Sequence, residues 1–498
     1  AVGTRALAGF TTGDRNIAIG YEAGDSITTG NNNISIGHLA NDGTTTGGSN
    51  IAIGADALGN NVAGSLLTAV GFNALEYSGL RGGAAVSIHA VGIGYVAGRY
   101  QTGSYNTFVG HYAGQGSQTT APYGSGAALT AVGAYALGNT VSGDYNTAVG
   151  YSAAGNMRSG SQNVAIGDRA ISNSRGTFAN VSIGNTTMYS ATTSERNVAI
   201  GHQALYTTTT GGGNIAIGYE TMRFSTGANN VSIGSGTMEY SGAGGGNVAI
   251  GVDTARYATG SQNTFVGSEA GKGGQTSAPY SSGDTNTAVG HTALAAFTTG
   301  DSNVAIGSRA LLTHTTGNYN IVIGEGAMRD TNAGSNSLDS DHNIFIGWAA
   351  GGGAWANQKS EYNTFVGNAS CAVALDGAVY NVGMGYRSTE NLTTGDGNVV
   401  FGGISGANIT GGQRNVVIGY NAATTLTTGD YNIYIGSDAN ASGADVNDEI
   451  VLAAGIDSLA GGGTETVRIG VDSDYITNDF GENATWTHSS DRRIKIDI

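Results

Sequence analysis

A five-residue unit recurs along almost the whole chain and constrains its fold more than any other feature. The unit reads Asn, a β-branched residue, a small residue, Ile or Val, then Gly, as in Asn16-Ile17-Ala18-Ile19-Gly20 and Asn163-Val164-Ala165-Ile166-Gly167. Indexed by the closing Gly, there are 25 units from Gly3 to Gly436. Of the 24 intervals between them, 15 equal 17, three equal 16, four equal 23, one equals 20 and one equals 18. Asn stands four before the Gly in 21 of the 24 units where that position exists; the exceptions are Leu67, Ala90 and Leu129. One short β-branched run per fixed period predicts an all-β parallel β-solenoid, or β-roll, of about 25 rungs of about 17 residues. The Gly suits a turn with positive φ or a close backbone approach. Thr-Thr-Gly runs at 28–30, 298–300, 393–395 and 427–429 read as second corners. The repeated Asn is expected to stack rung on rung, its amide bonding the turn backbone. At roughly 4.8 Å per rung the coil would span about 120 Å.

Composition fits an ordered rod. The chain has 498 residues with 86 Gly and 2 Pro, and no Gly at every third position, which excludes collagen. Only 11% of residues are charged, so self-repulsion does not hold the chain open. The net charge of −16 disfavours nucleic acid or an anionic membrane as partner. No apolar run approaches the length of a transmembrane helix, so no membrane insertion is expected. The sequence opens in mid-repeat at Ala1-Val2-Gly3, as a processed product or a piece of a longer chain would.

Side-chain size in the unit bears on assembly. Three successive strand residues are apolar or small, and adjacent pairs such as Ala57-Leu58 and Ala310-Leu311 follow the Gly. Successive strand residues face opposite sides, so both faces are expected to be covered. Several chains packed together would cover them, most simply an intertwined or side-by-side homotrimer. The longer intervals mark excursions from the rod. The stretch at 113–126 recurs closely at 270–283, and the two copies hold the only prolines, Pro122 and Pro279. Binding residues concentrate on loops carried by rigid scaffolds. Tyr123 and Tyr280 on the duplicated excursion, with Trp348 and Trp355 flanking Gly351-Gly352-Gly353, are therefore the receptor-binding candidates. Many residues just after the Gly are aromatic, among them Tyr21, Phe72, Tyr95 and Tyr420. They fit either seams between chains or a sugar-stacking stripe.

No enzyme site or cofactor is expected. Cys371 has no spacing partner for a zinc site, the histidines are dispersed, and neither a Walker-type phosphate loop nor a calcium repeat is present. The chain divides into a repetitive shaft at 1–439, a C-terminal β connector at 440–489 and a short tail at 490–498.

Two resemblances carry a functional expectation. The Asn-Val-Ala-Ile-Gly unit followed by Ala resembles the head repeats of trimeric autotransporter adhesins, whose period is shorter; this implies a trimeric β-roll. The tail, Ser489-Ser490-Asp491-Arg492-Arg493-Ile494-Lys495, resembles the entry to the intramolecular chaperone domain of endosialidase-type phage tail spikes and fibres. That resemblance makes 490–498 the stub of such a domain. It implies self-cleavage at the Ser489–Ser490 bond, with Ser490 at the cut and Lys495 as the activating base. The expected function is a structural and adhesive trimeric tail fibre or spike, located in the virion tail and outside the cell. Its partners would be two further copies, other tail proteins and a glycan or protein receptor on the host surface. A trimeric adhesin on a bacterial surface, or a single-chain ice- or glycan-binding solenoid, is the alternative.

Overall fold

A computed structural model of the protein describes residues 1–78, 89–116, 124–274, 280–331, 339–355, 358–455, 458–481 and 483–488. It contains a parallel β-solenoid of about 25 turns with no α-helix among the described residues. Equivalent positions on successive turns are mostly 17 residues apart, as Asn180 and Asn197 are. The chain forms two compact units, Ala1–Gly246 and Asn247–Ile498.

In the first unit, thirteen short strands run from Ile17–Ile19 to Val231–Ile233. Each pairs in parallel with the next in unshifted register, such as Ile17↔Ile34 and Ala18↔Ser35. The longer intervals leave the register intact: Thr68 pairs with Val91, and Thr107 with Thr130. In the second unit the same ladder runs from Val248–Ile250 to Ile433–Ile435. It continues in parallel through Ile450–Ala453 to Thr466–Val471, where Asp474–Asp479 and Asn483–His488 add antiparallel strands.

The corners follow from the backbone. A typical rung bends at three left-handed residues, as at Asn32, Leu39 and Asn41 with φ between 55° and 58°. Such φ values are unfavourable for residues other than Gly. Here each amide so oriented finds a carbonyl on a neighbouring rung: Asn32 on Asp14, Leu39 on Tyr21, Asn41 on Ala57. The closing Gly is required on two grounds. Gly54 has φ +131°, and a Cβ on it would lie 2.6 Å from the Gly71 carbonyl oxygen. Only hydrogen fits between stacked rungs.

The asparagine ladder forms as expected. Asn180 accepts from the Asn197 backbone N–H at 2.9 Å and from its Nδ2 at 3.1 Å, while its own Nδ2 donates to the Ser194 carbonyl at 3.0 Å. The side chain thus ties its strand to the far corner of the next rung, and its burial makes each bond costly to leave unmade, about 1–3 kcal/mol per orphaned group. The Thr corners form a second ladder. Thr28 donates from both its amide and its hydroxyl to the Thr45 carbonyl at 3.0 Å. In the second unit Glu449 takes the next ladder position after Asn432 and is buried. Its carboxylate accepts from the Tyr434 hydroxyl at 2.8 Å, Gly463 N at 2.8 Å and Ser442 N at 3.1 Å.

The core is thin. Only the central residue of each repeat strand points inward, as Ala18, Ala199 and Phe345 do. It packs against the residue four after the Gly, with a third column seven after the Gly, as Leu205 and Thr208 show on one rung. Volume is shared within the rung. Ala199 faces Leu205 and Ala288 faces Leu294, whereas Phe265 is matched by Gly271 and Phe345 by Gly351. A Cβ on Gly271 would come within 2.6 Å of the Phe265 ring. The first and third strand residues point outward, so within a single chain the strand is covered on one face rather than on both.

Candidate functional site

Three kinds of outward surface emerge from this fold. The first is a stripe along the strands. In the strands from Ile17–Ile19 to Ile433–Ile435 both outward positions are aliphatic, Thr, Met or Phe, and none is charged. Exposure reaches 50% at Ile17 and 38% at Ile250 and Ile306. A sheet with one face in water ordinarily alternates apolar with polar residues, the polar ones outward. Here the apolar residues face out, and the small ones face in because the rung interior has no room for two large columns.

The second surface consists of aromatic columns. Rings at equivalent positions on adjacent rungs stack, as Phe72–Tyr95 at 5.4 Å and Tyr95–His111 at 5.3 Å do just after the Gly. A second column, five before the Gly, carries Tyr319, His342, Tyr362 and Tyr380 in an unbroken stack with centroids 4.9–5.2 Å apart. Sequence reasoning missed this column, although counting back from each Gly exposes it. Stacked rings present their edges to solvent and cover their own faces.

The third surface includes a groove in each unit among the described residues. In the first unit, Gln115, Tyr135, Asn139, Tyr151 and Asn156 line a dip of about 350 Å³. Its amides form part of a ladder, with Asn139 Nδ2 donating to Asn156 Oδ1 at 2.7 Å. Its rings pack on one another, Tyr135 stacking on Tyr112 at 5.3 Å and meeting Tyr151 edge-on at 6.0 Å. In the second unit, Arg309, Glu325, Arg329 and Trp348 surround a dip of about 350 Å³ over Gly326 and Gly352. Arg309 comes from the rung closing at Gly307, Glu325 and Arg329 from that at Gly324, and Trp348 from that at Gly347. Left-handed Arg309 is held by its amide on the His291 carbonyl at 2.9 Å, and the Trp348 amide donates to Asn368 Oδ1 at 3.1 Å.

The four receptor candidates separate in this structure. Trp348 is 58% exposed at the edge of the second groove. Trp355 is fully buried: its indole N–H donates to the Gly351 carbonyl at 2.9 Å and its ring meets Phe345 edge-on at 5.5 Å. It fills the volume left where Gly351 replaces a larger residue, so it packs the core and offers no contact surface, contrary to expectation. Tyr280 is half-buried and stacked on Tyr257 at 5.9 Å. Tyr123 lies outside the described residues, as do Ser490, Lys495 and the Ser489–Ser490 bond. The structure therefore does not bring the candidates together.

Other chemistry is sparse. Cys371 is buried in the column four after the Gly, and burial pushes its thiol well above the usual range. That disfavours the thiolate needed for a nucleophile. Among the described residues no group of three His, Cys, Asp or Glu side chains is placed to hold a metal ion. No helix among them is long and apolar enough to cross a membrane.

No protein-family model matches the chain, and no curated protein is similar enough to count as a relative.

Proposed function

We propose that the chain is the shaft of a trimeric phage tail fibre or tail spike that attaches a virion to a host cell surface. The outward aliphatic stripe carries this reading, because it runs along each unit without a charged residue. Monomeric soluble proteins rarely leave apolar patches beyond a few hundred Å² in water. Three copies packed stripe to stripe would remove it, and the small inward residues leave each chain thin enough for close packing. The tail at Ser490–Lys495 supports a virion protein over a bacterial surface adhesin, since it resembles a chaperone junction used by tail spikes and fibres. Repeated contacts along a stiff trimer would provide attachment through avidity.

The test is light scattering on the intact chain, with binding of the fluorescently labelled chain to a panel of bacterial cells. A mass near three times 49.8 kDa and saturable adsorption to some strains are expected. A monomer at micromolar concentration, or a trimer that adsorbs to no cell, would overturn the reading in its structural or its adhesive half respectively.

A further inference from the structure

We infer that the groove around Trp348 binds a neutral pyranose ring, stacked on the indole and hydrogen-bonded by Arg309, Arg329 and Glu325. This rests on the adhesive reading only for its biological setting; the chemistry is argued from the groove. Its volume of about 350 Å³ lies at the lower end of the roughly 300–1,000 Å³ of small-ligand sites, so it suits one ring rather than a long chain.

Three observations point to a sugar. The first is the ring. Where exposed aromatics follow one another on adjacent rungs of a column they stack, which hides their faces. Trp348 has Glu325 and Asn368 as its column neighbours, and among the described residues no ring packs on it. An open indole face beside a dip accepts the apolar C–H face of a pyranose, as water-exposed aromatic surface favours. The second is the charge. Only 11% of the chain is charged, yet three of the eight residues lining this groove are Arg or Glu. Among the described residues, the Arg309 guanidinium and Glu325 carboxylate line it without pairing with each other or with any other side chain. Arg329 is held on one side by Asp330, at 3.0 Å from Nε and 2.9 Å from Nη2 to the same carboxylate oxygen, which leaves Nη1 for a ligand. A guanidinium donates and a carboxylate accepts, which is the pairing that adjacent hydroxyls satisfy. The third is the floor. Gly326, Ala349, Gly352 and Ala372 are small and leave room for the ring.

A carboxylate-bearing sugar is disfavoured, because Glu325 and Asp330 offset the two arginines. The dip in the first unit is the weaker candidate, since its rings cover one another.

The test is saturation-transfer NMR and fluorescence titration of the intact chain with the methyl pyranosides of glucose, galactose and mannose, and with a uronic acid. At least one neutral pyranoside is expected to bind, with millimolar affinity typical of a single-ring contact. Trp348→Ala and Arg309→Ala are both expected to weaken it at least tenfold. Both positions are exposed, so the fold should survive, and far-UV circular dichroism checks this. Tyr431→Ala, outside the groove, is expected to leave binding unchanged. No saturable binding of any neutral pyranoside, binding of the uronic acid alone, or binding indifferent to both groove variants would overturn the inference. Adsorption to cells is scored separately. Cell binding that survives Trp348→Ala, with no sugar bound, would sink the groove and leave the adhesive reading standing. Sugar binding by a chain that adsorbs to no cell would do the reverse.

Discussion

The most constrained residue that the repeat does not explain is His314. It occupies the third inner column, seven after Gly307, where other rungs place Thr208, Phe297 or Leu392. Its Nε2 lies 3.2 Å from Asn320 Nδ2, whose two hydrogens already go to Asn303 Oδ1 and the Ser340 carbonyl. Its Nδ1 lies 3.3 Å from the Thr331 hydroxyl. Burial disfavours the charged ring and lowers its pKa from 6.5 to about 4. Between those values the unfolded chain binds a proton that the folded chain does not. Stability therefore falls as pH drops from 6.5 towards 4, and the loss levels off once the folded ring also protonates. The full effect is roughly 3 kcal/mol. In His314→Leu, chemical denaturation of the second unit measured across pH 7 to pH 4 should lose that part of its slope. A slope identical to the parent would show that His314 does not carry it. The asparagines of the ladder were legible from one count, four before each Gly. His314 was not, because a histidine in a polar-looking stretch gives no sign that its rung position faces inward.

At the scale of one rung, the rule is that the strand centre and the residue four after the Gly share a fixed volume. This is visible in the sequence only once the inward position is known. Large apolar residues are ordinarily assigned to the interior, which puts the Ile and Val of each unit inside. The short turn reverses that: its interior already holds columns from the other two sides, so the strand contributes its small central residue. The same rule makes Trp355 intelligible, since Phe345 is matched by Gly351 and the remaining space is filled from the adjoining excursion. Glu449 was readable too, one full period beyond Asn432, but its change of residue type hid the ladder position. The volume rule predicts a compensating pair. Phe265→Ala should cost about 3–5 kcal/mol through the cavity it leaves. Gly271→Leu should also destabilise, because its side chain would overlap the Phe265 ring. Left-handed φ is no obstacle there, since Leu294 holds φ 51° at the equivalent place and Gly271 has 53°. The double variant recreates the Ala288–Leu294 pairing of the next rung and should recover at least about 2 kcal/mol relative to the sum of the single changes. Calorimetry of the four proteins closes the cycle, and strict additivity would refute shared volume.

For the whole molecule, the question is what an uncharged outward stripe does in water. The ladder bonds and inner columns close within one chain, so a single coil satisfies its backbone without help. What it leaves uncovered along the strand face is apolar area, since the strand and asparagine-ladder bonds are already made within the chain. Association through that face would therefore be driven by burial of aliphatic surface, and a charge placed in it should break assembly without unfolding the coil. Ile250 and Val289 are suited to the experiment: both point outward, at 38% and 36% exposure, two rungs apart so that introduced charges do not oppose one another directly. In Ile250→Lys/Val289→Lys each lysine can reach water in the isolated chain, and the cost to monomer stability should stay near that of ordinary surface changes, about 0.5 kcal/mol each. In a packed trimer the same lysines would be buried without partners, several kcal/mol per site. The parent is expected to scatter as a trimer and the variant as a monomer with an unchanged far-UV spectrum. A variant that remained trimeric would place the interface elsewhere, with the excursions as the remaining surface to test. A parent chain that was already monomeric would leave the stripe facing solvent, and single-chain binding would then replace assembly as its role.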